Sequence, residues 1–261
     1  MNATTHARKR IWLTGARSGI GAALAGELLA RGHRLALSAR RREPLDALAA
    51  RWPQQVLVVP GDLTDPAAVA AIAAQIAAEW GALDMAILNA GTCEYVEVRA
   101  FEAAMVERVV SANLFSAAHC VEAALPLLRR GEQPLLAGVA SAATFLALPR
   151  AEAYGASKAA LRYLLEALRV DLAAEGIAVS VISPGFVDTP LTRNNDFAMP
   201  MRWPADKAAR RIADGLDRRA LEIAFPRPFI ALLLLLAHLP GRLRLAVTRR
   251  MSRNPSKDDI R

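Results

Sequence analysis

Tyr154 and Lys158 are four residues apart in Tyr154-Gly155-Ala156-Ser157-Lys158, and on a helix that spacing puts both side chains on one face, one turn apart. A phenol titrates near 10 in water, so acting as a general acid or base near neutral pH requires about 3–4 kcal/mol of stabilisation of its anion. An ammonium about 4 Å away, at an effective dielectric of about 20, supplies up to about 4 kcal/mol. The expected chemistry is proton transfer by Tyr154, with Lys158 lowering its pKa. Ser141, thirteen residues earlier at the end of an apolar run, either presents a hydroxyl to polarise a substrate oxygen or is an ordinary strand-end serine.

A second cluster lies near the start. Thr14-Gly15-Ala16-Arg17-Ser18-Gly19-Ile20-Gly21 follows an apolar run and opens a helix-length apolar segment. Glycines let a backbone turn tightly against a pyrophosphate, and the N–H groups and dipole of a helix start favour negative charge. A dinucleotide is the expected ligand. The second apolar run ends in Ser38-Ala39-Arg40-Arg41-Arg42, where an NAD site would place an acid on the ribose hydroxyls. Arg40, with Arg17 in the glycine loop, instead suits a 2′-phosphate, so NADP is expected over NAD.

Positioning these groups requires a particular scaffold. Short apolar runs at 11–13, 34–38, 55–59, 83–88, 134–139, 177–182 and 221–225 alternate with Ala/Leu-rich segments of helical length. That rhythm predicts an α/β fold, a Rossmann-like, doubly wound parallel sheet of about seven strands. Residues 1–226 read as one catalytic domain and 227–261 as an apolar, arginine-rich helical extension. Hydrophobic residues at 54% and charged residues at 22% fit a packed core and exclude a disordered chain. The net charge of +8 is uneven: residues 227–261 hold eight Lys or Arg against two Asp, leaving +2 for 1–226. A nearly neutral body without a duplex-reading module argues against nucleic acid. Two cysteines, Cys93 and Cys120, provide neither a disulfide framework nor a metal site, and with no signal-peptide pattern they point to the cytoplasm.

Taken together, the motifs resemble the short-chain dehydrogenase/reductase family from about Ile11 to Phe225. The glycine loop, Asp62 after the third strand, Asn89-Ala90-Gly91 after the fourth, Asn113, Ser141, Tyr154 with Lys158, and Pro184-Gly185 followed by Thr189 occur in the family's order. The resemblance implies that Tyr154 donates or accepts the proton, Ser141 orients the substrate oxygen, Lys158 binds the nicotinamide ribose, and Asn113 holds a water in a proton relay. It further implies that Asp62, Leu63 and Asn89 border the adenine site, and that Thr189 with the backbone near Val187 anchors the carboxamide. It also implies a homo-oligomer, a dimer or tetramer paired through the helix of Tyr154. Residues 194–197 and 223–228, with Ile-Leu-Asn-Ala-Gly, resemble a bacterial branch of the family whose substrate the residues do not state.

The substrate, a carbonyl or alcohol, is expected to meet residues 93–98, 142–150 and 186–203. Phe197, Met199, Met201 and Trp203 there suggest an apolar lid and an apolar substrate. The apolar run Phe229–Leu239 is eleven residues, about 16 Å of helix and too short to cross a ~30 Å hydrocarbon core. With the arginines beyond it, residues 227–261 suit peripheral membrane contact at the inner face, a subunit interface, or a helix folded onto its own domain. A catalytically silent NADP-binding sensor, or a membrane-surface protein on the same fold, is the rival to the enzyme reading.

Overall fold

The computed structural model describes residues 8–193, 195 and 197–251. The chain runs β1 (Arg10–Thr14), α1 (Gly19–Ala30), β2 (Arg34–Ser38), α2 (Glu43–Arg51), β3 (Val56–Val58), α3 (Pro66–Trp80) and β4 (Met85–Leu88). There follow α4 (Ala103–Val110), a π-helical turn Ser111–Phe115, α5 (Ser116–Leu128), β5 (Leu135–Val139), α6 (Glu152–Ala173) and β6 (Ala178–Pro184). The last elements are β7 (Val187–Asp188), β8 (Trp203–Pro204), α7 (Ala205–Asp217), β9 (Glu222–Phe225), α8 (Arg227–Ala237) and α9 (Gly241–Arg249).

Seven parallel strands form one sheet in the order β3-β2-β1-β4-β5-β6-β9, and β7 pairs with β8 apart from it. A parallel sheet covered by helices on both sides needs apolar residues on both faces of each strand, which is why the strands read as unbroken apolar runs. Successive side chains divide between two cores. Ile11 and Leu13 join α1 and α7 on one side, while Trp12 joins α3 and α5 on the other; Leu35 and Leu37 divide from Ala36 in the same way.

Three contacts place the functional ends. Gly138 lets α6 approach β5, since a Cβ there would lie 2.3 Å from Leu165 Cδ1. Phe229, Ile230 and Leu233 on the inner face of α8 pack with Ala142 and Leu146, just beyond Ser141. Arg31, at the end of α1, donates to Glu27 (2.8 Å), Asp214 (2.7 Å) and Asp217 (2.7 Å) and so clamps α1 to α7. The guanidinium is mostly covered, so its loss leaves three carboxylates facing one another. Arg31→Ala is expected to destabilise the fold by about 1–3 kcal/mol, which calorimetry would read as about 2–4 °C per kcal/mol. An unchanged melting temperature would remove the clamp.

Candidate active site

The sheet order reverses beside β1: β2 lies on one side and β4 on the other, and an open α/β sheet binds ligands in the crevice at that point. The 14–21 loop occupies its rim. Gly15 and Gly19 have φ of 66° and 56°, the left-handed region that only glycine adopts freely. At Gly21 a Cβ would sit 2.2 Å from the Gly15 carbonyl oxygen. Ser18 precedes α1 without a side-chain cap, so the first N–H groups of the helix remain available to an anion.

From this loop a cavity of about 1020 Å³ runs to the ends of β5 and β6. Most residues expected to hold cofactor or catalyse line it: Gly15, Arg17, Ser18, Gly19, Ile20, Gly21, Arg40, Asp62, Leu63, Asn89, Ala90 and Gly91 at one end. Ser141, Tyr154, Lys158, Pro184, Gly185, Val187 and Thr189 line the other. The two expected residues that do not line it are Thr14 and Asn113. Buried Thr14 accepts from the backbone N–H groups of Asn89 (2.9 Å) and Ala90 (3.1 Å), so it ties β1 to the loop after β4 and does not face a ligand. Asn89 Nδ2 donates back to Thr14 O (3.1 Å) and Gly15 O (3.2 Å).

Asn113 is fully buried in the π-helical turn, a feature frequent at functional sites. Its Oδ1 accepts from Thr92 N (2.7 Å), and its Nδ2 donates to Thr92 O (2.9 Å) and Ser157 Oγ (2.9 Å). In this structure its side chain fastens the loop after β4 to α6 and presents nothing to the cavity.

At the catalytic end the Ser141 hydroxyl neighbours the Tyr154 side chain and acts to lower its pKa. Ser141 Oγ accepts from Ala143 N at 3.1 Å. Lys158 is tied to the end of β5. Its Nζ lies 6.0 Å from the Tyr154 ring centre and donates to Val139 O at 2.8 Å. Burial lowers Lys158 to about 8 and pushes Tyr154 up to about 12, against the lowering effect of Ser141. Desolvation thus raises the phenol's pKa, and the phenol is held as the acid.

Arg17 and Arg40 are exposed where they line the cavity. Ser38, at the end of β2, faces inward and accepts from Trp12 Nε1 at 2.9 Å, so position 38 offers nothing to a ribose. Asp62 Oδ1 accepts from Thr64 N (3.0 Å) and Oγ1 (2.8 Å); those bonds, with Arg40 nearby, hold its carboxyl below the ordinary range.

A family model described as short chain dehydrogenase matches residues 9–199. The chain belongs to the short-chain dehydrogenase family, a family of oxidoreductases. It is 34% identical over 242 residues to an uncharacterized oxidoreductase of Myxococcus xanthus, with 92% of this chain and 96% of that one covered. A short chain dehydrogenase/reductase from Burkholderia phymatum, in complex with NAD, superposes with a TM-score of 0.81 at 22% identity over 95% of this chain and 98% of that one. An alcohol dehydrogenase of the archaeon Thermococcus sibiricus, complexed with 5-hydroxy-NADP, gives 0.76 at 22% identity over 84% and 96%. These two likenesses carry the fold.

The lid of this short-chain dehydrogenase differs from the composition-based expectation. Phe197 meets Tyr95 edge-on at 5.4 Å and Phe186 at 6.0 Å, and Met199 Sδ accepts from Asn195 at 3.4 Å. Trp203, however, stacks on buried Phe225 at 5.0 Å as part of the main core, and Met201 is half exposed. Trp203 therefore belongs to the core and not to the lid. Asn194 and Asp196 lie outside the described residues.

Sequence reasoning named the segments 93–98 and 186–203 but not the roles of the groups within them. Tyr95 donates to Asn195 Oδ1 at 2.8 Å and interacts with the Cys93 thiol. Burial pushes that thiol up to about 11, so this wall is uncharged at neutral pH. Thr192 Oγ1 donates to Val187 O at 2.6 Å and so braces the loop beside the expected carboxamide site. The Asp62-Leu63-Thr64 turn had a visible signal, an Asx turn written as Asp-x-Thr. Thr192 had none.

Proposed function

We propose that this protein transfers hydride between NADP(H) and a carbonyl or secondary alcohol of an apolar substrate, with Tyr154 as the general acid or base. What carries the reading is one cavity that joins an anion cradle to neighbouring Ser141 and Tyr154 beside buried Lys158. The glycine loop, the uncapped start of α1 and the two arginines fit a dinucleotide phosphate chain. The cofactor, when bound, supplies or accepts the hydride. For reduction, Ser141 donates to the substrate oxygen and Tyr154 delivers the proton that the forming alkoxide requires. Lys158, with N–H groups beyond the one spent on Val139, is placed to hold the ribose. Phe186, Phe197 and Tyr95 exclude water from the reacting carbon.

Arg40 at the ribose end and the lack of an acid after β2 support NADP over NAD. Arg40→Ala is expected to weaken NADPH about tenfold or more and NADH less than twofold in equilibrium titrations. Equal affinities in the parent, or no change in the variant, would defeat the selectivity. NADPH oxidation with a panel of apolar ketones tests the reaction itself; tight NADPH binding without turnover of any ketone would leave a silent sensor. We further propose a homo-oligomer, supported by the outward Tyr163 and Val170 on α6, 77% and 74% exposed.

A further inference from the structure

Hydride transfer makes no use of the chain beyond Pro226, yet its composition is one-sided. Residues 227–251 contain five arginines and no Asp or Glu. While α8 buries its inner face, Leu232 and Leu235 turn outward, 46% and 66% exposed. No residue of α9 is buried. Leu243 and Leu245, about half exposed, alternate there with exposed Arg242 and Arg244. A nine-residue helix is marginal in water on its own, so leucines left exposed on both α8 and α9 call for a partner.

The arginines are not neutralised locally. Arg242, Arg244, Arg249 and Arg250 enter no ion pair among the described residues, and Arg244 donates to the uncharged Ala237 carbonyl at 2.9 Å. Between α9 and residues 145–147 lies a groove of about 420 Å³, walled by Phe145, Leu146 and Leu245 with Arg244 on its lining. Apolar wall and guanidinium together match the acyl chain and phosphate of a phospholipid.

We propose that α8 and α9 dock this protein on a membrane surface rich in anionic phospholipid, the leucines entering the acyl boundary and the arginines meeting phosphates. The contact is interfacial, since no helix among the described residues is long and apolar enough to cross a membrane. A second copy of this chain fits poorly: a twofold contact through this face would bring arginine against arginine with no acid in 227–251 to intervene. Nucleic acid would satisfy the arginines and leave the leucines in water. Because the inner face of α8 packs on Ala142, Leu146 and Phe186, docking sets the substrate end of the cavity beside the bilayer, where apolar carbonyl compounds concentrate.

Flotation of the full chain with vesicles tests this without turnover, so its outcome is separable from that of the hydride-transfer reading. Vesicles of equal parts phosphatidylglycerol and phosphatidylcholine should carry the protein at low salt, carry less of it at high salt, and exceed pure phosphatidylcholine. R242Q/R244Q/R249Q/R250Q is expected to lower partitioning to the anionic vesicles at least about tenfold. L235S/L243S/L245S should lower it as well, which a purely electrostatic contact would not. All seven side chains are exposed, and unchanged melting curves check the fold. The proposal fails if the parent ignores anionic vesicles, if it binds duplex DNA and not vesicles, or if light scattering shows that the leucine substitutions dissolve an oligomer instead.

Discussion

Tyr154→Phe is expected to lower turnover about 10²- to 10⁴-fold, the range for loss of a general acid, while the NADPH dissociation constant changes by less than about twofold. The substitution keeps the ring and removes the hydroxyl that neighbours Ser141. The resting pKa of about 12 means that the phenol carries its proton throughout the neutral range, ready for carbonyl reduction. Alcohol oxidation needs the phenolate, so kcat/KM in that direction should climb with pH toward a plateau. Lys158 is the nearest cation able to favour the anion. In Lys158→Gln, oxidation near neutral pH, where the Lys158 ammonium is still charged below its pKa of about 8, should fall, because removing a positive charge disfavours ionisation of the phenol. Stopped-flow NADPH oxidation and a pH series in both directions provide the measurement. Parent-like turnover by Tyr154→Phe would eliminate the proposed acid.

How far the sequence reached depends on which physical constraint each residue carries. Strands buried on both faces must be apolar throughout, so 11–13 or 134–139 could be located almost to the residue. The glycine loop was legible because its backbone demands glycine, and the Tyr154–Lys158 spacing because helix geometry is fixed. Orientation and electrostatics were not legible. Thr14 at a strand end can face a ligand or the neighbouring loop, and only the position of Asn89, 75 residues away, decides it. The carboxamide of Asn113 is claimed by Thr92 and Ser157, partners 21 and 44 residues distant. The expected drop in the pKa of Tyr154 is opposed by burial, which pushes it up, a matter of surroundings and not of spacing along the helix. Composition grouped Trp203 with Phe197, whereas the turn back into β8 sends Trp203 to the core.

On α1 the same substitution should have opposite effects at two sites five residues apart. Gly26→Ala adds a methyl where nothing lies within 4 Å, so only the gain in helix propensity remains, up to about 1 kcal/mol of added stability. Gly21→Ala places its Cβ 2.2 Å from Gly15 O and 2.5 Å from Asn89 Nδ2. Neither neighbour can yield freely: Gly15 belongs to the left-handed turn, and Asn89 holds that turn through two hydrogen bonds. The loop must therefore open, which destabilises the fold by about 1–3 kcal/mol, as overpacking does elsewhere. Opening also pulls the cradle away from the pyrophosphate position, and NADPH affinity should fall about 100-fold or more. Thermal melts and cofactor titrations of the two variants, run side by side, cancel any general effect of alanine in this helix. If Gly21→Ala melts and binds NADPH as Gly26→Ala does, close packing of α1 on the loop is not what shapes the site.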